Sequence, residues 1–217
     1  MTADHARERT LLTHVQERTP LAHVREPTLL DHLRAVTRPA HDRLEGALGL
    51  LDAQLGLTEY KHALERFYGF WRAWQPHVAS LLQDDALMNP RRRLHLLAAD
   101  LAALGSLASD IEALPVCPHP TLSGAAEALG SLYVMEGSTL GGRVIERNVS
   151  RCLGLGGGRG CSYFVGYGAE TGLMWRSFLM RLEDEPASNT GLIANGAIAT
   201  FERVAWWFSA AQSNRRA

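Results

Sequence analysis

The sequence predicts an all-α fold, with about six to eight helices in a single domain. From Thr28 onward, apolar residues recur at the three- and four-residue spacing of amphipathic helices rather than in the alternation of strands. Only the short segment 161–167 is ambiguous between helix and strand. With 217 residues, of which 46% are hydrophobic, the chain is long enough to bury a sizeable core.

Start and stop signals place the helices in order along the chain. The first predicted helix covers residues 28–48 and is expected to bend near Pro39. A proline-rich loop is predicted at 115–120 and a glycine-rich loop at 153–160; the latter lacks the Lys-Ser/Thr of a phosphate-binding loop. The other predicted helices span residues 59–82, 90–104, 121–153, 169–184 and 188–211.

The first part of the chain contains a repeat of nine residues, marked by evenly spaced histidines: His5, His14, His23, His32 and His41. Nine residues rotate a helix by about two and a half turns, so successive histidines point to opposite faces and do not form a shared metal site. We therefore predict a poorly ordered, repeat-containing extension over residues 1–27, followed by a helical domain over residues 28–217.

Composition excludes several function classes. A formal net charge of −1 gives no general footprint for nucleic acid, and the run Arg91-Arg92-Arg93 is interpreted as a solvated helix start. Three cysteines without a CxxC pair argue against disulfides and a zinc site. No apolar run is long enough for a membrane span, and no signal peptide is recognisable. These features predict a cytoplasmic protein.

Within six residues of the predicted helix 121–153 lie three glycines, Gly137, Gly141 and Gly142. Each costs about 1 kcal/mol relative to alanine inside a helix, so a compensating role is expected. Glycine lets the helix bend and lets a flat ligand touch the backbone, but small residues also allow tight helix–helix packing. The spacing alone does not decide between these two explanations.

A second candidate element is the pair His41 and Glu45, which lie four residues apart and hence on one helical face. A carboxylate at this place can accept a hydrogen bond from the ring nitrogen that does not bind a metal, which orients the ring. A contact on the surface of a helix, without any metal, is the alternative explanation.

Two motifs, LRAVTRPAHDRLE at 33–45 and LYVMEGSTLGGRVI at 132–145, resemble the haem oxygenase family. The resemblance covers roughly residues 28–212 and is closest to the bacterial branch found beside bacteriophytochromes. It implies a haem-oxygenase-like helical bundle in which haem b, both substrate and cofactor, lies between a proximal helix and a kinked distal helix.

The resemblance also implies roles for individual residues. His41 falls at the position of the proximal iron ligand, and Glu45 at that of a residue orienting this histidine. Arg34 and Tyr133 match positions that bind the haem propionates, and Arg176 is a third candidate for that role.

On the distal side, the resemblance implies a haem face built from four residues: Gly137, Ser138, Gly141 and Gly142. Animal-type members have an aspartate where this chain has Ser138, so the proton path is expected to use a hydroxyl, backbone carbonyls and water. Asn195 and Phe201 on the last helix are expected to close the distal side.

The implied reaction converts haem, with O2 and electrons, into biliverdin, CO and ferrous iron. Because the chain has no flavin or nicotinamide motif, the electrons must come from a separate reductase or ferredoxin. Biliverdin would be available as a chromophore for a bacteriophytochrome. Two alternatives remain: a haem-binding carrier or sensor without turnover on the same fold, and a helical interaction module whose glycines serve packing.

Overall fold

The computed structural model describes residues 28–156 and 159–213, and the repeat extension 1–27 lies outside them. These residues form helices and turns without a β-strand, apart from one isolated bridge between Gly156 and Arg159. The all-α prediction is therefore confirmed. The α-helices are α1 (Leu29–Leu48), α2 (Leu57–Leu82), α3 (Asp85–Met88), α4 (Leu94–Ala103), α5 (Ala108–Glu112), α6 (Ala125–Leu153), α7 (Ser162–Val165), α8 (Thr171–Glu183) and α9 (Thr190–Ser213).

Differences from the predicted elements are confined to short segments. The ambiguous stretch 161–167 contains the single helical turn α7. Helices α3 and α5 were not predicted, because one turn is too short to show a periodic apolar pattern. Of the basic run after Pro90, only Arg91 lies in a 3-10 turn, which spans Asn89–Arg91, and α4 begins at Leu94.

Helix α1 has well-defined ends, which fix the register of the residues that face the site. Thr28 accepts a hydrogen bond from the Asp31 amide at 3.2 Å, and the Asp31 carboxylate accepts one from the Thr28 amide at 3.1 Å. These reciprocal bonds form a capping box. The helix continues through Pro39 and ends at Gly49, whose φ of 64° is a left-handed cap.

The close crossing of α6 and α9 organises the core. A Cβ on Gly130 of α6 would overlap the carbonyl of Ile193, and a Cβ on Gly196 of α9 would overlap the carbonyl of Glu127. Only glycine lets two helix backbones approach this closely. The same contact is bridged by the buried Ser131, whose hydroxyl accepts a hydrogen bond from Trp74 at 2.7 Å and shares one of 2.6 Å with the Thr200 hydroxyl.

Helix α2 supplies the large aromatic side chains of the core, and Tyr60, Phe70, Trp71 and Trp74 on it are almost completely buried. They pack beneath α4, α6 and α7. In the described part of the chain, no helix combines the length and apolar character needed to cross a membrane. Helices α1 and α6 both pack against α9. They form two walls of one cavity.

Candidate functional site

A cavity of about 450 Å³ lies between α1 and α6 and is completed by residues of α2, α7, α8 and α9. Cavities of this size are typical of small-molecule and cofactor sites. Two predicted elements, which are about a hundred residues apart in sequence, thus line one space.

The α1 wall is formed by one face of that helix. Arg34, Thr37, His41 and Glu45 line the cavity, and their spacings of three and four residues place them on the same side of an α-helix. Arg34, His41 and Glu45 are exposed, whereas Thr37 is buried. The α1 wall therefore has three exposed positions and one buried position.

His41 sits between two carboxylates on its own helix. Its Nε2 is 3.8 Å from Glu45 Oε1, and its Nδ1 is 3.6 Å from Asp42 Oδ1. The ring also meets Phe201 of α9 edge-on, with 5.8 Å between ring centroids. The side chain is 49% exposed, so one face of the imidazole is accessible from the cavity mouth.

Arg38 holds Asp42 in place beside this histidine. The Arg38 Nε donates to both Asp42 carboxylate oxygens, at 2.9 and 3.0 Å. This hydrogen bond is the main cause that lowers the pKa of Asp42, with smaller contributions from the Arg38 charge and from His41. Asp42 is therefore held as a carboxylate, and both Arg38 and Arg34 line the cavity.

The α6 wall presents bare backbone at two of the three glycines. A Cβ on Gly141 would meet no other atom within 4 Å, and a Cβ on Gly137 would reach only the Trp175 ring at 3.9 Å. Both residues line the cavity. Helical hydrogen bonding continues through this stretch, so the expected kink of the helix stays a prediction.

Gly142 has a different role. A Cβ there would overlap the carbonyl oxygen of Phe164 on α7, so α7 packs directly against the α6 backbone at this point. Ligand access and helix packing, the two explanations for the glycines, therefore each apply, but to different positions. All three glycines line the cavity, but Gly137 and Gly141 have open space beside them, whereas Gly142 permits a tight packing contact.

Ser138 lies on the cavity side of α6, at an exposed position. Its hydroxyl donates to the Met135 carbonyl at 2.7 Å. Since the proton is used in this bond, the oxygen lone pairs remain as acceptors towards the cavity.

Tyr133 closes the cavity where α6 approaches α1. Its ring is 9% exposed and lies 5.9 Å from the Trp175 ring. Burial raises the pKa of Tyr133, while a hydrogen bond with Thr37 and the charge of Arg34 lower it in part. Tyr133 and Arg34 both line the cavity and both can donate hydrogen bonds to a ligand.

A buried group of charges surrounds Glu136 of α6. Glu136 is 1% exposed, accepts a 2.6 Å hydrogen bond from the Tyr167 hydroxyl, and has Arg91 Nε 3.2 Å from its second oxygen. Burial raises the pKa of Glu136, opposed by Tyr167, Arg93 and Arg91. Arg91 and Arg93 are 4% and 3% exposed, so the interpretation of the basic run as a solvated helix start was wrong for both; Arg92 is exposed.

Not every predicted residue reaches the cavity. Phe201 lines the cavity, but its ring packs against His41 on the α1 side and not on the distal side for which it was predicted. Arg176 is exposed on α8 and lies outside the lining, which α8 contributes through the neighbouring Trp175. Asn195 is likewise exposed and outside the lining. Roles for Arg176 and Asn195 therefore depend on the sequence resemblance alone.

Sequence reasoning missed other lining residues. Thr37, Met135, Tyr163 and Trp175 all face the cavity. Each is an ordinary core-forming residue at an ordinary helical spacing, so no local pattern distinguishes it. Thr37 and Met135 belong to the two walls themselves, and the packing of α7 and α8 against α6 brings Tyr163 and Trp175 into the site.

The chain belongs to the haem oxygenase family, since the family model described as Heme oxygenase matches residues 27–210. No curated protein matches the chain significantly.

Solved structures of haem oxygenases share this fold. Haem oxygenase 2 of Chlamydomonas reinhardtii, determined without haem, is 17% identical with a TM-score of 0.69 and covers 85% of this chain and 97% of its own. The Leptospira interrogans haem oxygenase is 19% identical with a TM-score of 0.66, and it covers 84% of this chain and 98% of its own. The Synechocystis haem oxygenase in complex with haem is 15% identical with a TM-score of 0.64, and it covers 86% of this chain and 93% of its own.

Proposed function

We propose that this protein is a haem oxygenase that cleaves haem b to biliverdin, CO and ferrous iron. The observation that carries the proposal is the arrangement of one cavity. His41 lies on its α1 wall, and the bare backbone at Gly137 and Gly141 lies on its α6 wall. An imidazole opposite a flat, side-chain-free surface suits a planar macrocycle with a central iron.

The residues around the cavity fit haem in other respects. Leu44, Val134, Ile145 and Val204 give the lining an apolar character suited to the porphyrin ring. Haem carries two propionates, and the exposed Arg34 with the nearby Tyr133 hydroxyl would bind one of them. Phe201, edge-on to His41, would limit rotation of the imidazole.

When bound, haem supplies the iron that activates O2 and the ring that is oxidised, so the protein contributes orientation and electrostatics. His41 would hold the iron as a neutral ligand, and Glu45 would accept a hydrogen bond from the other ring nitrogen. None of the described cysteines lines the cavity. A thiolate ligand, which favours O–O cleavage, is therefore not available there.

On the opposite wall, Gly137 and Gly141 would let the α6 backbone approach the reacting face closely. Ser138 would accept a hydrogen bond from water, because its own proton is held by the Met135 carbonyl. Ser138 would thereby orient a water that delivers protons, in place of the aspartate that animal-type members have.

Electrons would come from an external reductase or ferredoxin. The mouth of the cavity, where Arg34, His41 and Glu45 are exposed, is the place where a donor could approach the haem edge. Use of the biliverdin as a bacteriophytochrome chromophore is supported only by the resemblance of the two motifs.

The proposal is tested by reconstituting the protein with hemin and reducing it under oxygen, with the tetrapyrrole identified by chromatography and mass spectrometry. We expect biliverdin and CO, with faster turnover from a protein electron donor than from ascorbate. A stable oxygenated haem complex without ring opening would favour a carrier or sensor. Absence of a sharp haem absorption band would contradict haem binding altogether.

A further inference from the structure

The buried end of the cavity contains a positive charge that the proposed function does not use. Arg93 lines the cavity together with the buried Phe67, Met135 and Tyr163. Only 3% of Arg93 is exposed. Burying a guanidinium is costly unless its charge and its N–H groups are satisfied, so its partners must be accounted for.

The partners of Arg93 are weak for a buried cation. Within the described residues, its side chain donates one hydrogen bond, from Nη2 to the Met135 carbonyl at 2.8 Å. Its Nε has no acceptor among those residues. The guanidinium lies over the rings of Trp71, Tyr163 and Tyr167, at 4.9, 5.3 and 5.6 Å from their centroids. Aromatic faces stabilise a cation but accept no conventional hydrogen bond.

The nearest acid does not neutralise both arginines. Glu136 pairs geometrically with Arg91 at 3.2 Å and uses its other oxygen for the Tyr167 hydroxyl. Two buried guanidinium groups thus share one carboxylate, which leaves one excess positive charge. Arg91 also donates to the Leu87 carbonyl and the Ser177 hydroxyl, whereas Arg93 keeps donors to spare beside the cavity.

We propose that Arg93 makes the distal side of the haem cavity selective for anionic over neutral ligands of the iron, an inference that rests on the proposed function. Its charge and spare N–H donors would stabilise a small anion or a polarised water at the buried end. Arg93 also binds the Met135 carbonyl that holds the Ser138 proton. It therefore acts as a positioning residue on the same side as Ser138.

The experiment compares azide, a small anion, with imidazole, a neutral ligand, in spectrophotometric titrations of the ferric haem complex of the full chain. We expect azide to bind to the Arg93→Met variant about tenfold more weakly than to the wild-type protein, because a charged hydrogen-bond donor is lost. The imidazole affinity of this variant should stay within about twofold of the wild-type value, since a neutral ligand gains little from the charge. Arg92→Met is the matched control, because Arg92 is the adjacent, exposed arginine.

Two further variants keep the test decisive if Arg93→Met does not fold. Glu136→Gln removes the opposing carboxylate and should strengthen azide binding while leaving imidazole binding unchanged. Arg93→Lys keeps the charge and should retain most of the preference for azide. Equal losses of azide and imidazole affinity, or equal azide affinity in the Arg93 and Arg92 variants, would overturn the proposal.

Failure of the proposed function has a different signature. If the wild-type chain takes up no haem, neither titration has a signal, and the function itself falls together with this inference. If haem binds and is cleaved but azide affinity does not respond to Arg93→Met, only the role of Arg93 is rejected.

Discussion

The carbonyl oxygen of Phe164 occupies the space that a side chain on Gly142 would need. Through this contact the short helix α7 lies directly on the α6 backbone, and it carries Tyr163 and Phe164 into the wall of the cavity. The glycine motif therefore has a structural and a ligand-facing part, one residue apart.

Alanine substitutions at the two adjacent glycines should have opposite effects on stability. Gly142→Ala should lower the free energy of unfolding by about 2 kcal/mol, because the new methyl overlaps the α7 backbone. Gly141→Ala should raise it by up to about 1 kcal/mol, since alanine is the better helix former and meets no other atom. Urea unfolding of the haem-free proteins measures both.

Haem spectra of the same pair separate the roles further. We expect Gly141→Ala to alter the ligand-bound haem spectrum despite its greater stability, because the methyl projects into the cavity. Equal destabilisation by both alanines would contradict the division of the motif into a packing and a ligand-facing glycine.

Asp100 should be needed to hold α7 in place. Its completely buried carboxylate accepts hydrogen bonds from the amides of Ser162 at 2.7 Å and Tyr163 at 2.8 Å. Asp100→Asn leaves one of these amides facing an NH2 group, so we expect a loss of about 2 kcal/mol in the free energy of unfolding. Asp110→Asn, at an exposed site, is the control; similar values for both variants would refute this role.

Glu136 should give the protein a pH-dependent stability with a defined sign. Burial raises the pKa of Glu136, so the folded state binds the proton more tightly than the unfolded chain, in which the pKa is about 4.3. The stabilisation that this tighter proton binding gives is fully present below the unfolded-state pKa. It is lost as the pH rises through the folded-state pKa. Glu136→Gln abolishes this titration.

The measurement is the difference in unfolding free energy between wild type and Glu136→Gln, from about pH 4 to about pH 8. We expect this difference to shift in favour of the Gln variant as the pH rises. Burial also raises the pKa of Asp100. Because Asp100 is present in both proteins, its contribution cancels in the difference. A trend of the opposite sign for Glu136 would contradict the direction of its pKa shift.

His41→Ala should remove the proposed iron ligand without unfolding the chain, because the side chain is half exposed. We expect a shifted ferric haem absorption band and loss of turnover, with a change in unfolding free energy below about 0.5 kcal/mol. His32→Ala is the matched control, an exposed histidine on the same helix that does not line the cavity. An unchanged spectrum and retained turnover in His41→Ala would reject the assignment.

Sequence patterns were sufficient for the long helices and for the two walls of the site. Apolar periodicity located α1, α2, α6, α8 and α9 to within a few residues. Local patterns could not indicate that Arg91 and Arg93 are buried, because both contact the distant helix α6 and Arg91 also contacts α8. Similarly, Arg176 and Trp175 are neighbours in sequence, and the orientation of α8 decides which of them faces the cavity.

By itself, the sequence determined the helical class, the face of α1 that carries His41 and Glu45, and the stretch of α6 where side chains are missing. These are properties of spacing along one helix, which follow from its 3.6-residue period. Only the tertiary structure decided that Gly142 contacts Phe164 while Gly141 faces the cavity, and that Arg93 is a buried cation. These features depend on which distant segments pack against each residue, and a local pattern carries no information on that.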